Sequence, residues 1–294
     1  MLFWRKLFGL AGNMDATKTF RWLLWVGCAL LLGFALYGVS YAQRPFRQYP
    51  SVQYGLSIPI PPGYNTPSEF TFARMMFPGG PLDGYRGRFD GPWQDGMTLW
   101  TQDYPLADRN LMAAVRRLTL INARSAEQPV MLEDGNDVYN WPFLYAVQVG
   151  EWGLTEKEAK ILRQYLLRGG FFMADDCWGP EEHAYFVKTM KMVFPNRQLE
   201  DIPNDDPIFH TVYDLSKRYR ITGYDHLAVG YKNGGIVPRW QGIRADDGRI
   251  MVAFDLNSDI GDSWKGMDDP RYPEKFANLG TRIGINYIVY AMTH

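Results

Sequence analysis

Apolar and polar positions along the chain fall into blocks that predict strands and helices in turn. Short apolar runs are typical of buried strands, and longer stretches with apolar residues at helical spacing indicate helices between them. Strands that alternate with helices predict an α/β fold with a mostly parallel sheet covered on both faces. The predicted strands are residues 70–76, 129–132, 143–149 and 171–174, and the predicted helices are residues 106–123, 155–168, a helix opening at Pro180, and 276–292.

Local signals support two of these assignments. Thr155 and Glu158 have the spacing of a capping box, and Gly169 and Gly170 follow the apolar stripe where a left-handed cap ends a helix. Two strand-like runs flank Asp247 and Gly248 within residues 239–255, so we expect a β-hairpin at an edge of the sheet.

The N-terminal part of the chain has a different character. Residues 22–39 carry no charge and follow Lys18 and Arg21, and the small residues Ser40 and Ala42 fit a signal-peptidase site. At about 1.5 Å per residue this run is about 27 Å long, the low end of a bilayer crossing. It therefore predicts either a cleaved signal peptide or an uncleaved anchor that holds the protein on the membrane, with a buried core helix as the third alternative.

This interpretation divides the chain into three segments. Residues 1–42 are the signal peptide or anchor, proline-rich residues 43–68 are a linker, and residues 69–294 are one α/β domain. We expect the domain to be exported from a bacterial cytoplasm, to the periplasm or the periplasmic face of the inner membrane. Of the two cysteines, Cys28 lies in the N-terminal segment, so the domain has Cys177 alone and no internal disulfide.

The amino-acid composition and net charge indicate which kinds of partner the protein can bind. The chain is 46% hydrophobic and 21% charged, as globular domains are, and its net charge is −1. Nucleic-acid binding needs a basic stripe, and the sequence has none, so a nucleic-acid partner is not expected. An envelope glycan or protein remains compatible with the predicted location.

Several short runs resemble a bacterial family, the domain of unknown function 4159. They are residues 140–145 (NWPFLY), 167–171 (LRGGF), 175–176 (DD), 201–209 (DIPNDDPIF) and 282–287 (RIGINY), and the resemblance covers residues 70–294. It implies a three-layer sandwich of the flavodoxin or class I glutamine-amidotransferase-like type, here preceded by a hydrophobic helix. It implies no reaction.

Acidic residues follow two of the predicted strands, at the edge where open parallel sheets bind ligands. Asp134 lies in one acidic group, and Asp175 and Asp176 form the other, with His183 on the next predicted helix. These residues are candidates for catalysis or for a divalent cation, although their spacing matches no compact metal motif and no cofactor is required. Solvated carboxylates and helix caps are the alternative.

Tryptophans near the same runs suggest a glycan site, because sugar sites pair aromatic faces with carboxylates. Packing in the core is the alternative for the tryptophans, and a structural role is the alternative for the histidine. The candidate ligand-binding residues on this reading are Asn140, Trp141, Trp178, Asp225 and His226, together with Asp134.

Cys177 lies between a predicted strand and a predicted helix, where amidotransferases place a nucleophilic cysteine within Gly-x-Cys-x-Gly. Asp175 replaces the first glycine, and the neighbouring carboxylates disfavour a thiolate. We therefore expect an inert thiol. The preferred hypothesis is a domain that binds a ligand or partner in the envelope without glutaminase chemistry. An envelope hydrolase acting on glycan or peptide, with or without a metal, and a structural module of an envelope assembly are the alternatives.

Overall fold

The computed structural model describes residues 21–29, 44–89 and 91–294. Residues 21–29 are helical, while the rest of the predicted apolar segment and the predicted cleavage site at residues 40–42 lie outside the described residues. In the described part of the chain, no helix has both the length and the apolar character needed to cross a membrane. Pro45–His294 forms one compact unit.

Seven strands form one sheet in the order β2-β1-β3-β4-β7-β6-β5. The first five strands in this order are mutually parallel, as the alternating pattern predicts, and β6 and β5 complete one side in antiparallel pairing. The strands are β1 (Ala73–Met76), β2 (Gln128–Met131), β3 (Phe143–Ala146), β4 (Phe171–Cys177), β5 (Glu200–Asp201), β6 (Arg239–Arg244) and β7 (Ile250–Leu256).

Helices cover both faces of this sheet. Those of the compact unit are α1 (Leu106–Leu118), α2 (Glu156–Leu167), α3 (Gly179–Val193), α4 (Ile260–Lys265) and α5 (Glu274–Thr293). On one face, Leu162 of α2 and Phe186 of α3 pack in the same core as Phe172 of β4. On the other face, α1, α4 and α5 share a core with Tyr145 of β3 and Met173 of β4. The predicted α/β class is therefore confirmed.

Aromatic side chains account for much of the core. Trp152 is fully buried, stacks on Phe172 with ring centroids 5.8 Å apart, and donates from Nε1 to Thr189 Oγ1 at 2.9 Å. Burying a side chain of this size stabilises the fold by about 1.5–3 kcal/mol, provided that its polar atom is paired.

The structure differs from the sequence-based prediction at several boundaries. Helix α1 ends at Leu118 rather than residue 123, because Thr119 is extended and its hydroxyl donates to the Val115 carbonyl oxygen. The predicted hairpin forms, but its second strand, β7, lies inside the sheet between β4 and β6. Helix α4 was not predicted, because six residues are too few for a helical pattern to stand out.

The proline-rich residues pack against the domain. The Arg109 guanidinium on α1 donates to the Pro59 carbonyl oxygen at 2.8 Å and to Gln48 Oε1 at 2.7 Å. The Gln53 side chain accepts a hydrogen bond from the Asp103 backbone N–H at 2.8 Å. The boundary predicted near residue 69 therefore falls inside one compact unit.

Candidate functional site

Five aspartates gather at the carboxyl edge of the parallel strands, and each is at most 7% exposed. We call them the acidic cluster. This is the edge at which open α/β sheets bind their ligands. Asp175 and Asp176 lie at the end of β4, Asp259 and Asp262 follow β7, and Asp103 comes from the loop before α1.

Asp175 holds the first turn of α4. Its Oδ1 accepts the Ile260 N–H at 3.0 Å, and its Oδ2 accepts the Gly261 N–H at 2.7 Å and the Tyr145 hydroxyl at 2.9 Å. Burial and the nearby Asp255 raise the pKa of Asp175 well above its ordinary value, and the two backbone donors oppose that shift. The carboxylate thus has a structural task, at the start of α4 rather than at the start of α3.

Lys265 joins two members of the cluster. Its Nζ lies 2.8 Å from Asp103 Oδ1 and also pairs with Asp262 Oδ1. Burial alone would raise the pKa of Asp103, but the ammonium of Lys265 lowers it below the usual value. Burial and the Asp103 charge raise the pKa of Asp262 to about 7. The other oxygen of Asp103, Oδ2, is buried and has no hydrogen-bond partner among the described residues.

Asp259 caps α4 with one oxygen and leaves the other directed at its neighbours. Its Oδ1 accepts the Asp262 N–H at 2.8 Å. A Cβ placed on Gly223 would lie 2.5 Å from Asp259 Oδ2 and 2.9 Å from Asp262 Oδ2, so both oxygens lie close against the backbone at that glycine. Burial and the charge of Asp176 raise the pKa of Asp259 well above its ordinary value. One oxygen each from Asp103, Asp259 and Asp262 lie within 4.8 Å of one another.

A buried ion pair fixes the loop that carries Asp103. Arg74 of β1 forms two hydrogen bonds to the Asp108 carboxylate of α1, at 2.8 and 2.5 Å, and neither side chain is exposed. The same guanidinium donates to the carbonyl oxygens of Trp100 and Gln102, at 3.3 and 3.2 Å. The residues immediately before Asp103 are therefore tied to the sheet.

Left-handed backbone conformations recur around this edge. Asp103, Gln148, Asp176 and Asn257 have φ values of 61°, 51°, 51° and 59°. Each costs a residue other than glycine about 1–2 kcal/mol, and such conformations concentrate where side chains are aimed for function. Asp176 lies near the end of β4, next to Cys177, where the pairing of β4 with β7 shifts register between Ala174 and Cys177.

A second group of charges lies around Asp176. Its Oδ1 accepts a hydrogen bond from Trp178 Nε1 at 2.6 Å, and the Trp178 backbone N–H donates to Glu182 Oε2 at 2.8 Å. The Lys232 ammonium lies 3.6 Å from Glu151 Oε1, and Asp176, Glu182 and Glu151 raise its pKa against the effect of burial. The charges of these carboxylates are thus balanced by the Lys232 ammonium and by hydrogen bonds from Trp178.

Cys177 is completely buried beside this group. Burial raises the pKa of its thiol well above the ordinary value, and the charges of Glu182 and Asp176 add to the shift. A buried neutral thiol cannot act as a nucleophile at neutral pH. The geometry agrees with an inert cysteine.

A cavity of about 820 Å³ opens beside the acidic cluster, because Lys265 lines it and also pairs with Asp103 and Asp262. Its wall combines the rings of Tyr54 and Tyr224 with side-chain amides and with charges of both signs. The lining residues that carry polar or aromatic groups are Gln53, Tyr54, Asn110, Tyr224, Asp225, Lys265, Asp268, Asp269 and Arg271.

The structure separates several residues that the sequence grouped. His183 Nε2 lies 3.0 Å from Gln241 Oε1 and its ring stacks on Phe254, on the β6 side of the sheet. Among the described residues, the trio of possible metal ligands that approach one another is Asp103, Asp259 and Asp262, and not Asp175, Asp176 and His183. Trp178 is buried.

Asn140 and Trp141 lie at the opposite edge, because they immediately precede β3. Both side chains donate to Asp137, and both line a second cavity of about 430 Å³ with Arg168. Asp134 follows β2 in a turn closed on the Met131 carbonyl oxygen. Asp225 lines the larger cavity, and His226 lies in the same short helical turn, Tyr224–His226.

Sequence reasoning missed Asp103, Asp259, Asp262 and Lys265. The last three recur at intervals of three residues after a buried strand, a spacing that places them on one side of a short helix. That pattern was a usable signal. Asp103 stands in a loop, 156 positions before Asp259 in the printed sequence, and no local pattern links the two.

Comparison with known proteins adds one match. The model of the family described as Domain of unknown function (DUF4159) matches residues 94–292, which include all five aspartates of the acidic cluster. No curated protein matches the chain.

Proposed function

The chain belongs to the DUF4159 family, and on that premise we propose that it is an exported domain that binds a small polar ligand of the cell envelope, without glutaminase chemistry. The observation that carries the proposal is the cavity of about 820 Å³ beside the acidic cluster. Ligand sites are typically concave, of this size, and furnished with a few convergent polar groups.

The cavity wall favours a peptide or glycan fragment that carries charges of both signs. Lys265 and Arg271 can pair with ligand carboxylates, whereas Asp225 and Asp268 can pair with ligand amines. Tyr54 and Tyr224 offer ring faces and hydroxyls, which suit sugar rings and peptide planes. Fragments of peptidoglycan combine these groups, and they are found in the compartment to which the N-terminal segment is proposed to direct the chain.

The strand order supports the finer fold assignment. The five parallel strands, counted along the chain, stand in the order 2-1-3-4-5, which is the order of flavodoxin-type sheets. We therefore propose an amidotransferase-like scaffold of that type. The end of β4, near the turn where amidotransferases hold their cysteine, has Asp176 in the left-handed conformation and keeps Cys177 buried. This supports a scaffold that has no glutaminase nucleophile.

A metal-assisted hydrolase of glycan or peptide is the second candidate. One observation favours it: three carboxylates lie within 4.8 Å of one another next to the cavity. A cation held there can lower the pKa of a bound water and supply a nucleophile. Analysis of the ligand after incubation with the protein separates the two candidates. A bound ligand that is recovered intact supports the binding domain, and cleavage products support the hydrolase.

Calorimetric titration with soluble muropeptides, prepared by enzymatic digestion of peptidoglycan, tests the proposal. We expect saturable binding to the full chain. Tyr224→Ala should weaken it about tenfold, because an aromatic contact contributes on the order of 1–1.5 kcal/mol. Asn140→Ala at the opposite edge is the matched control and should leave binding unchanged. Absence of binding, or loss in Asn140→Ala alone, would contradict the proposed site.

A further inference from the structure

The spacing of three carboxylates fits a shared cation. One oxygen each of Asp103, Asp259 and Asp262 lie within 4.8 Å of one another. Oxygen ligands stand about 2.0–2.6 Å from Mg²⁺ or Ca²⁺, so two ligands of one ion are at most about 4–5 Å apart. The three oxygens can therefore reach a single ion without a rearrangement of the backbone.

One buried oxygen has no partner. Asp103 is completely buried, and Lys265 contacts its Oδ1, while its Oδ2 has no hydrogen bond within the part of the chain that the structure describes. That oxygen faces the first turn of α4, 3.4 Å from the point where a Cβ on Gly261 would stand. Leaving a buried carboxylate oxygen unpaired costs about 1–3 kcal/mol or more, and a cation would remove that cost.

A glycine packs closely against the other two carboxylates. Gly223 has an ordinary φ of −60°, so its backbone does not require glycine. A Cβ at this position would nevertheless stand only 2.5 Å from Asp259 Oδ2 and 2.9 Å from Asp262 Oδ2. The missing side chain lets the chain at Gly223 lie directly against the two carboxylates, and the Tyr224 N–H donates to Asp262 Oδ2 at 2.5 Å.

Lys265 supplies one positive charge to this trio of aspartates. Two negative charges are left over when all three are ionised, and they are buried where water cannot screen them. A divalent ion matches this excess in sign and magnitude.

We propose that Asp103, Asp259 and Asp262 bind one divalent cation of the oxygen-preferring class, with Ca²⁺, Mg²⁺ and Mn²⁺ as its members. Ligation by carboxylates alone selects these hard cations over zinc or copper, which prefer nitrogen and sulfur. The inference deepens the proposed function and rests on it, because the ion would stand beside the ligand cavity and offer a further contact to a ligand carboxylate.

Titration of the metal-free full chain with Mn²⁺, followed by electron paramagnetic resonance of the free ion, tests the proposal. We expect one Mn²⁺ per chain with an affinity better than about 1 mM, and competition by Ca²⁺ or Mg²⁺. Asp259→Asn keeps an oxygen to cap α4 but removes the ligand charge, and it should weaken binding at least tenfold. Asp103→Asn should do the same.

Asp246→Asn is the matched control, because Asp246 is an exposed aspartate in the turn between β6 and β7. This variant should bind Mn²⁺ as the parent chain does. Absence of bound Mn²⁺ in the parent chain at about 1 mM would overturn the inference without any variant. Unchanged binding in folded Asp259→Asn and Asp103→Asn would overturn it as well.

The two proposals fail separately. If muropeptides bind in the presence of a chelator and Mn²⁺ does not bind, the cation site is wrong and the ligand cavity stands. If Mn²⁺ binds at the three aspartates and muropeptides do not bind, the proposed ligand is wrong and the cation site stands.

Discussion

The Asp175 carboxylate at the end of β4 accepts the backbone N–H of Gly261, 86 positions further along the chain, at 2.7 Å. The same carboxylate also accepts the Ile260 N–H, so it fixes the start of α4. Because Asp259 and Asp262 belong to that first turn and Lys265 to the same helix, Asp175 positions three charged residues of the site.

Asp175→Asn is expected to destabilise the fold. An amide presents only one oxygen, so one of the two backbone N–H groups would face an NH₂ group and lose its acceptor. We expect a loss on the order of 1–3 kcal/mol, which is a fall in Tm of several degrees for a domain of this size. Differential scanning calorimetry measures it, with Asp176→Asn as the neighbouring control. An unchanged Tm in Asp175→Asn would show that the cap does not stabilise α4.

Much of the fold was predictable because its longer elements have strong patterns. The capping box at Thr155 and Glu158 forms as expected, and the apolar runs become parallel strands. Short elements were not predictable: α4 has six residues, and its start depends on Asp175 from another strand. Tertiary contacts decide such elements.

The site was predictable only in part. Asp175 and Asp176 were placed correctly at the carboxyl edge, because they follow an apolar strand directly. Trp141 lies two residues before β3, at the amino end of that strand, and therefore at the opposite edge of the sheet from Asp175 and Asp176. Closeness to a strand in sequence does not show at which of its two ends a side chain lies. The contact of Lys265 with Asp103 joins residues 162 positions apart, which no local pattern reveals.

The stability of the domain should depend on pH through Asp255. This aspartate of β7 accepts the Tyr287 hydroxyl at 3.0 Å, and burial raises its pKa to about 7. The unfolded value is about 3.9, so the folded state binds the extra proton between about pH 4 and pH 7. The stabilisation from that proton is complete below pH 4 and is lost as the pH rises through 7.

Asp255→Asn removes this titration. As the pH rises from 5 to 8, the parent chain should lose on the order of 1–3 kcal/mol of unfolding free energy that the variant keeps. Urea unfolding at the two pH values measures the difference, and each protein serves as its own reference. If the parent chain and the variant differ in unfolding free energy by the same amount at pH 5 and at pH 8, Asp255 is not a source of the pH dependence.

Cys177 is expected to be unreactive in the folded protein. In a Cys28→Ser chain it is the only cysteine, so a thiol reagent should titrate none in the native state and one after denaturation. Glutamine hydrolysis should be undetectable. Glutamine hydrolysis that disappears in Cys177→Ala, or labelling of Cys177 by a glutamine-analogue inhibitor, would refute the absence of glutaminase chemistry.

Residues 1–68 are expected to direct export. The uncharged run at residues 22–39 and the small residues at 40 and 42 motivate this expectation. Fused to alkaline phosphatase, which is active only outside the cytoplasm, the segment should give enzyme activity in a bacterial host. The size of the mature product distinguishes cleavage after Ala42 from an uncleaved anchor. An inactive fusion that is made in full would contradict export.

Anomalous diffraction from crystals of the protein grown with Mn²⁺ tests the account most directly, because it locates the ion without reference to activity. The account predicts one strong anomalous peak within about 2.6 Å of an oxygen of Asp103, of Asp259 and of Asp262, beside the cavity that Lys265 lines. Crystals that diffract well but place Mn²⁺ elsewhere, with Asp103 and Asp262 paired to Lys265 and no ion at Asp259, would contradict it.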